Sequence, residues 1–123
     1  MSVAGVGIDA VEIDRFRRVL ARTPGVARRL FTDAERAYGE RARDSAPRLA
    51  ARFAAKEATM KALGVGLGAF KFHDVEVVKA PSGKPSIRLS GAAAALASAN
   101  SVVELHLSIT HSEVTAEAVV IAT

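Results

Sequence analysis

The stretch from Ser45 to Gly64 constrains this 123-residue chain most, because it carries a start signal, a packing face and a stop signal for one long helix. Ser45 suits an N-cap, Pro47 suits a first turn where its missing N–H is not needed, and Gly64 can adopt the left-handed conformation that ends a helix. Leu49, Phe53, Met60 and Leu63 follow i, i+4, i+11, i+14. At about 100° per residue they form one stripe with Lys56 at its centre, so this face is expected to pack into the interior. Glu57 and Lys61 stand i, i+4 at roughly 80 to 120° from that stripe. Two readings fit them. From the helix alone, the simpler one is an exposed ion pair worth on the order of a few tenths of a kcal/mol. The other is a carboxylate and an ammonium held on a rigid element beside the core, where a metal and a phosphate could meet them.

Before this helix, Val3 to Ile8 is a short apolar run that reads as a strand buried on both faces or nearly so, with Asp9 at its end. Asp9 again has two readings: N-cap of a capping box with Glu12, or a carboxylate displayed as a metal ligand at a strand end. A helix follows in which Ile13, Phe16 and Leu20 share one side and Arg15, Arg18 and Arg22 line the other. Thr23-Pro24-Gly25 stops it, Val26 to Phe31 forms a short turn or helix, and the capping box Thr32-Asp33-Ala34-Glu35 starts another helix.

After the central helix, Gly64 to Gly68 follows a helix rather than a strand, so it reads as a C-cap and flexible turn and not a dinucleotide fingerprint, with close approach of a ligand to the bare backbone as a second reading. Asp74–Lys79 and Ser86–Leu89 read as a hairpin joined through Gly83-Lys84-Pro85. Ser90 caps an alanine-rich helix from Gly91 to Ala99, closed by Asn100. Val103, Leu105, Leu107 and Ile109 alternate with polar residues as one face of a half-buried strand. His111-Ser112-Glu113 connects it to a final strand, Val114 to Ile121, with Ala116, Ala118 and Val120 on one side. His111 has no Cys or second His at ligand spacing and makes a poor transition-metal site.

These elements give an α+β fold in a single compact domain spanning 1–123, with a small, mostly antiparallel sheet packed against the long central helix and shorter helices. The chain has no cysteine, which excludes disulfides and thiolate chemistry. No run approaches a membrane span and Met1-Ser2-Val3-Ala4 lacks signal-peptide features, so a cytoplasmic address and no membrane partner are expected. Of the 17 basic residues, eleven are arginines at or before Arg52, so the N-terminal half is cationic and suits an acidic partner. Nucleic acid ranks second among such partners: there is no Trp, one Tyr, and no aromatic pair placed to stack bases.

Two blocks, Gly5-Val6-Gly7-Ile8-Asp9 with Glu12 and Arg15-Phe16, and Arg52-Phe53-Ala54-Ala55-Lys56-Glu57-Ala58 with Lys61 and Gly64, resemble the signature blocks of the bacterial holo-[acyl-carrier-protein] synthases, which are 4′-phosphopantetheinyl transferases. Leu30-Phe31-Thr32 with Glu35, the Gly83-Lys84-Pro85 turn and Leu107-Ser108-Ile109-Thr110-His111 extend the similarity along the whole chain. The resemblance implies that Mg²⁺ and coenzyme A bind, that a serine of apo acyl carrier protein attacks the β-phosphate, and that 3′,5′-ADP leaves, in fatty-acid biosynthesis. It makes Asp9 and Glu57 the Mg²⁺ ligands and Glu57 and Lys61 the catalytic residues, with Lys61 on the phosphates. It assigns coenzyme A contacts to Lys61, Gly64, Lys84, Thr110 and His111, carrier docking to Arg15, Arg18 and Arg22, and the site to the subunit interfaces of a homotrimer. One departure stands out. Some relatives carry Asp directly after the His, where this chain has Ser112, so no third carboxylate is available there.

Overall fold

The computed structural model describes residues 2–123 and runs β1 (Gly5–Glu12), α1 (Ile13–Arg22), α2 (Val26–Leu30), α3 (Asp33–Glu40), α4 (Ala46–Ala62), β2 (Val75–Lys79), β3 (Pro85–Leu89), α5 (Gly91–Ala99), β4 (Leu105–His111) and β5 (Thr115–Ala122). The strands form two antiparallel sheets, one of three strands in the order β1-β5-β4 and one made of the β2-β3 hairpin. α4 is the axis of the molecule, touching β1, β5, β4, β2, α1 and α3. Ala50, Ala51, Ala54, Ala55, Ala58 and Ala62 are all buried, and their single methyl groups let neighbours approach from nearly every side.

The cap of α4 differs from expectation. Ser45 has helical backbone angles and makes no side-chain cap bond. Asp44 does the work instead, its Oδ1 accepting the Ala46 N–H at 3.1 Å. At the other end Gly64 has φ +76° and Val65 N donates to Met60 O at 3.0 Å, the expected left-handed stop.

β1 corrects two expectations. It is covered by α4 on one face only, so Val6 and Ile8 on the other face are 58 % and 65 % exposed rather than buried. Asp9 lies inside the strand, paired with Ala118, and α1 begins after Glu12 with no side-chain cap; the Asp9–Glu12 capping box does not form. The capping box Thr32–Glu35 does form, with Glu35 N donating to Thr32 Oγ1 at 3.2 Å and Thr32 N donating to Glu35 Oε1 at 2.9 Å.

Elsewhere, Leu105, Leu107 and Ile109 turn toward the interior as their alternation requires, whereas Val103 precedes the strand and is exposed. His111 is the last residue of β4, paired with Ala116, and not part of the connection. Ala116, Ala118, Val120 and Ala122 form the buried face of β5.

Candidate active site

Residues alternate along a strand, so Gly5, Gly7, Asp9 and Val11 share the face of β1 that lies on α4. The two glycines are there because the backbones nearly touch. A Cβ at Gly7 would stand 1.8 Å from the Ala58 carbonyl oxygen, and one at Gly5 would stand 1.9 Å from that of Ala62. β1 therefore runs along the Ala58–Ala62 stripe, next in sequence to Glu57 and Lys61. The first side chain beyond the glycines on that face is Asp9.

This contact decides the fate of Lys61. Among the described residues Lys61 makes no ion pair with Glu57, its i, i+4 neighbour. It crosses to the strand, donating to the Ile8 carbonyl oxygen at 2.8 Å and lying 3.3 Å from Asp9 Oδ1. The exposed helical ion pair is thus not what these residues make.

Asp9 and Glu57 line one cleft of about 450 Å³, together with Glu12, Arg15, Phe16 and Phe53. Glu57 is half-buried, and burial first and the Asp9 charge second push its carboxyl above the usual carboxylate range, with Lys61 opposing. A carboxylate whose ionisation is opposed by burial and by a second carboxylate beside it marks a place where a cation is favoured. No group of three or more metal-ligating His, Asp or Glu side chains gathers among the described residues. Ser112 is occupied in the β4-β5 turn, its Oγ accepting the N–H groups of Val114 and Thr115 at 3.1 Å each.

The expected nucleotide contacts fall elsewhere in the chain. His111 lines a second cleft of about 350 Å³, with Gly83 and Pro85 on either side of Lys84. Across the sheet Asp9 pairs with Ala118 and Ala118 with Ile109, so the two clefts open on opposite sides of α4. Gly64 lies seven residues beyond Glu57, about 10 Å along the helix axis. Of Arg15, Arg18 and Arg22, the expected docking row and all exposed on α1, only Arg15 lines the carboxylate cleft.

The second cleft also contains residues that the sequence did not single out. The guanidinium groups of Arg48 and Arg52 lie 4.4 and 3.9 Å from the centre of the Tyr38 ring. Lys79 Nζ donates to the Tyr38 hydroxyl at 3.2 Å, which draws that hydroxyl below its ordinary range. Arg52 is 7 % exposed, and its Nε has no hydrogen-bond partner. The signal was present as Arg48 and Arg52 at i, i+4, but only the fold brings Tyr38 between them.

The sequence also gave no role to Lys56. Its ammonium is fully buried, 2.7 Å from Glu35 Oε1, and donates to the carbonyl oxygens of Phe72 at 3.0 Å and Val75 at 2.5 Å. All three protons are used, and the second Glu35 oxygen accepts the Val77 N–H at 2.9 Å. The network ties α3 and β2 to α4 one residue before Glu57.

Known proteins match this arrangement over nearly the full chain. The profile of the 4′-phosphopantetheinyl transferase superfamily matches residues 5–121. A holo-[acyl-carrier-protein] synthase of Frankia alni is 50 % identical over 122 residues, covering 99 % of this chain and 98 % of that one. The crystal structure of the Neisseria meningitidis holo-[acyl-carrier-protein] synthase superposes with a TM-score of 0.91 at 31 % identity, covering 99 % of both chains. The Helicobacter pylori enzyme, solved in complex with coenzyme A, gives a TM-score of 0.85 at 32 % identity over 96 % of this chain and 99 % of that one.

Proposed function

This chain belongs to the 4′-phosphopantetheinyl transferase superfamily and within it to the holo-[acyl-carrier-protein] synthases, and we propose that it transfers the 4′-phosphopantetheine arm of coenzyme A to a serine of apo acyl carrier protein. The serine oxygen forms a bond to the β-phosphorus, the bond from that phosphorus to the bridging oxygen breaks, and 3′,5′-ADP departs. We place the reaction in the cytoplasm, in fatty-acid synthesis. The observation that carries this reading is the convergence of Asp9 and Glu57, from two elements far apart in sequence, on one cleft, with the Lys61 ammonium 3.3 Å from Asp9.

Mg²⁺ is the proposed cofactor, with Asp9 and Glu57 as its protein ligands. The donor set fits: two carboxylates lining one cleft, and a hard cation that takes few protein oxygens and completes its shell with water and substrate. When bound, Mg²⁺ supplies charge neutralisation on the pyrophosphate oxygens. The chain's own residues do the rest. Lys61 binds phosphate, and Glu57 is our assignment for the group that takes the serine proton.

Coenzyme A carries negative charge at both ends of its nucleotide, and the second cleft is cationic. Arg48, Arg52, Lys79 and His111 line it, and the unpartnered Arg52 Nε supports a phosphate there, with Lys84, Thr110 and Gly64 as further contacts. In one chain the two clefts lie across α4 from each other, which supports a homotrimer in which neighbouring subunits complete each site. The exposed Val6 and Ile8, paired with Ile121 and Val119 on the outer face of the sheet, support self-association through that face. Arg15, Arg18 and Arg22 form the docking row for an acidic carrier helix.

The test is the mass of apo carrier after incubation with coenzyme A and Mg²⁺. The carrier gains one phosphopantetheine arm with the wild-type protein and none with Asp9→Asn or Glu57→Gln, both variants remaining folded by circular dichroism. Carrier left unmodified by the wild-type protein removes the transferase reading, and wild-type rates in both variants remove the assigned site. Multi-angle light scattering tests the trimer, with a monomer mass as the contrary result.

A further inference from the structure

The ammonium of Lys61 has two partners, both on β1. It donates to the Ile8 carbonyl oxygen at 2.8 Å and lies 3.3 Å from Asp9 Oδ1. The Asp9 side chain is only 14 % exposed, so its carboxylate has lost most of its water, and this ammonium is the one charged partner it has among the described ion pairs. Lys61 itself is 53 % exposed on a flexible four-carbon stem, free to swing toward a ligand entering the cleft. Glu57 is near enough for the Asp9 and Lys61 charges to act on it but holds neither. Glu12 and Arg15 are the remaining charged groups on this cleft.

We propose that Lys61 is the resident counter-ion of Asp9 in the metal-free protein, and that the pyrophosphate of coenzyme A, by drawing this ammonium away, couples substrate binding to metal binding. The inference rests on the reading of Asp9 and Glu57 as the metal site. A divalent cation arriving alone must share Asp9 with an ammonium already on it, and two like charges at one carboxylate weaken both contacts. A pyrophosphate brings two negative charges to the ammonium against the one on Asp9, and its transfer leaves the Asp9 oxygen to the metal. The coupling is reciprocal: the metal raises affinity for coenzyme A by the factor by which coenzyme A raises affinity for the metal. The protein thereby holds metal and substrate together rather than metal alone.

The probe is Mn²⁺, titrated with and without saturating coenzyme A and followed by the electron paramagnetic resonance of the free ion. Without coenzyme A, Lys61→Met is expected to bind Mn²⁺ about three- to tenfold more tightly than wild type, the range for loss of one partly screened charge contact. Lys61→Arg stays near wild type. Arg15→Met, which removes a positive charge from the same cleft but not from Asp9, changes affinity much less. The tightening of Mn²⁺ by coenzyme A is smaller in Lys61→Met than in wild type. Unchanged Mn²⁺ affinity in Lys61→Met, or an equal gain in Arg15→Met, overturns the counter-ion role while the metal site stands. A wild-type protein with no Mn²⁺ site that Asp9→Asn removes, with or without coenzyme A, overturns the metal site and the inference with it.

Discussion

The ammonium of Lys56 lies 2.7 Å from Oε1 of Glu35, and neither side chain reaches solvent. Burial pulls the lysine below its ordinary proton affinity and the glutamate opposes that pull. The pair holds because every remaining donor and acceptor is satisfied by the backbone of Thr32, Phe72, Val75 and Val77. Since Lys56 and Glu57 are adjacent on one helix, whatever fixes the rotation of α4 at the first also fixes the direction of the second.

Removing one member strands the other. Lys56→Met is expected to cost about 3–5 kcal/mol, a large share of the stability of a domain this size. The double variant Glu35→Gln with Lys56→Met costs less than the sum of the two singles. Urea unfolding of the three variants measures this. A single variant losing less than about 1 kcal/mol, or strict additivity, contradicts the pair.

The approach of β1 to α4 leaves no room for a methyl group at Gly7. Gly7→Ala is expected to destabilise by about 3 kcal/mol or more, because the atom to be displaced is the Ala58 carbonyl oxygen and not a flexible side chain. Transfer activity falls in whatever fraction remains folded, since Asp9 moves off Glu57. Gly66→Ala serves as the control: nothing lies within 4 Å of its added Cβ, so it stays within about 0.5 kcal/mol of wild type.

Glu57→Gln should abolish transfer and yet raise the thermal midpoint of the metal-free protein by a few degrees, the gain of about 0.5–1 kcal/mol common when a destabilised functional group is removed. The sign with pH follows. Glu57 is raised in the folded state, so the wild-type protein has its full stability from this group below the ordinary carboxylate range and loses it as pH rises through the raised value. The two proteins should therefore converge at acid pH and separate toward neutrality. A constant difference in melting temperature across that range contradicts this.

Arg18 is exposed on α1 and makes no ion pair among the described residues, whereas Arg17 is held by Asp14 and by Asp44 at 2.6 Å. Arg18→Glu should raise KM for the carrier about tenfold with little change in kcat or in KM for coenzyme A, and reduce the salt dependence of kcat/KM. Arg17→Gln should act less on that salt dependence. Steady-state kinetics at two ionic strengths separate these outcomes, and a fall in kcat alone for Arg18→Glu contradicts docking.

Much was legible before the fold was known. Periodicity located α4 and α1, and the Gly64 stop, the Thr32–Glu35 capping box and the β2-β3 hairpin were legible too, because those signals are local: backbone propensity and the spacing of apolar side chains act over a few residues. The resemblance supplied Asp9 and Glu57 as partners, yet the neighbourhood of each in sequence allowed an N-cap for one and a helical ion pair for the other. Only tertiary structure decided against both. Gly5 and Gly7 let β1 lie on α4 so closely that Asp9 is kept inside the strand and Lys61 crosses to it, and a contact between residues 52 positions apart has no local signature. The same holds for Lys56 with Glu35 and for Tyr38 between Arg48 and Arg52. The sequence determined which elements form and which chemistry they carry; the packing of backbone on backbone decided which charges meet, because electrostatic partners are chosen by distance in space and burial, and neither is written in spacing along the chain.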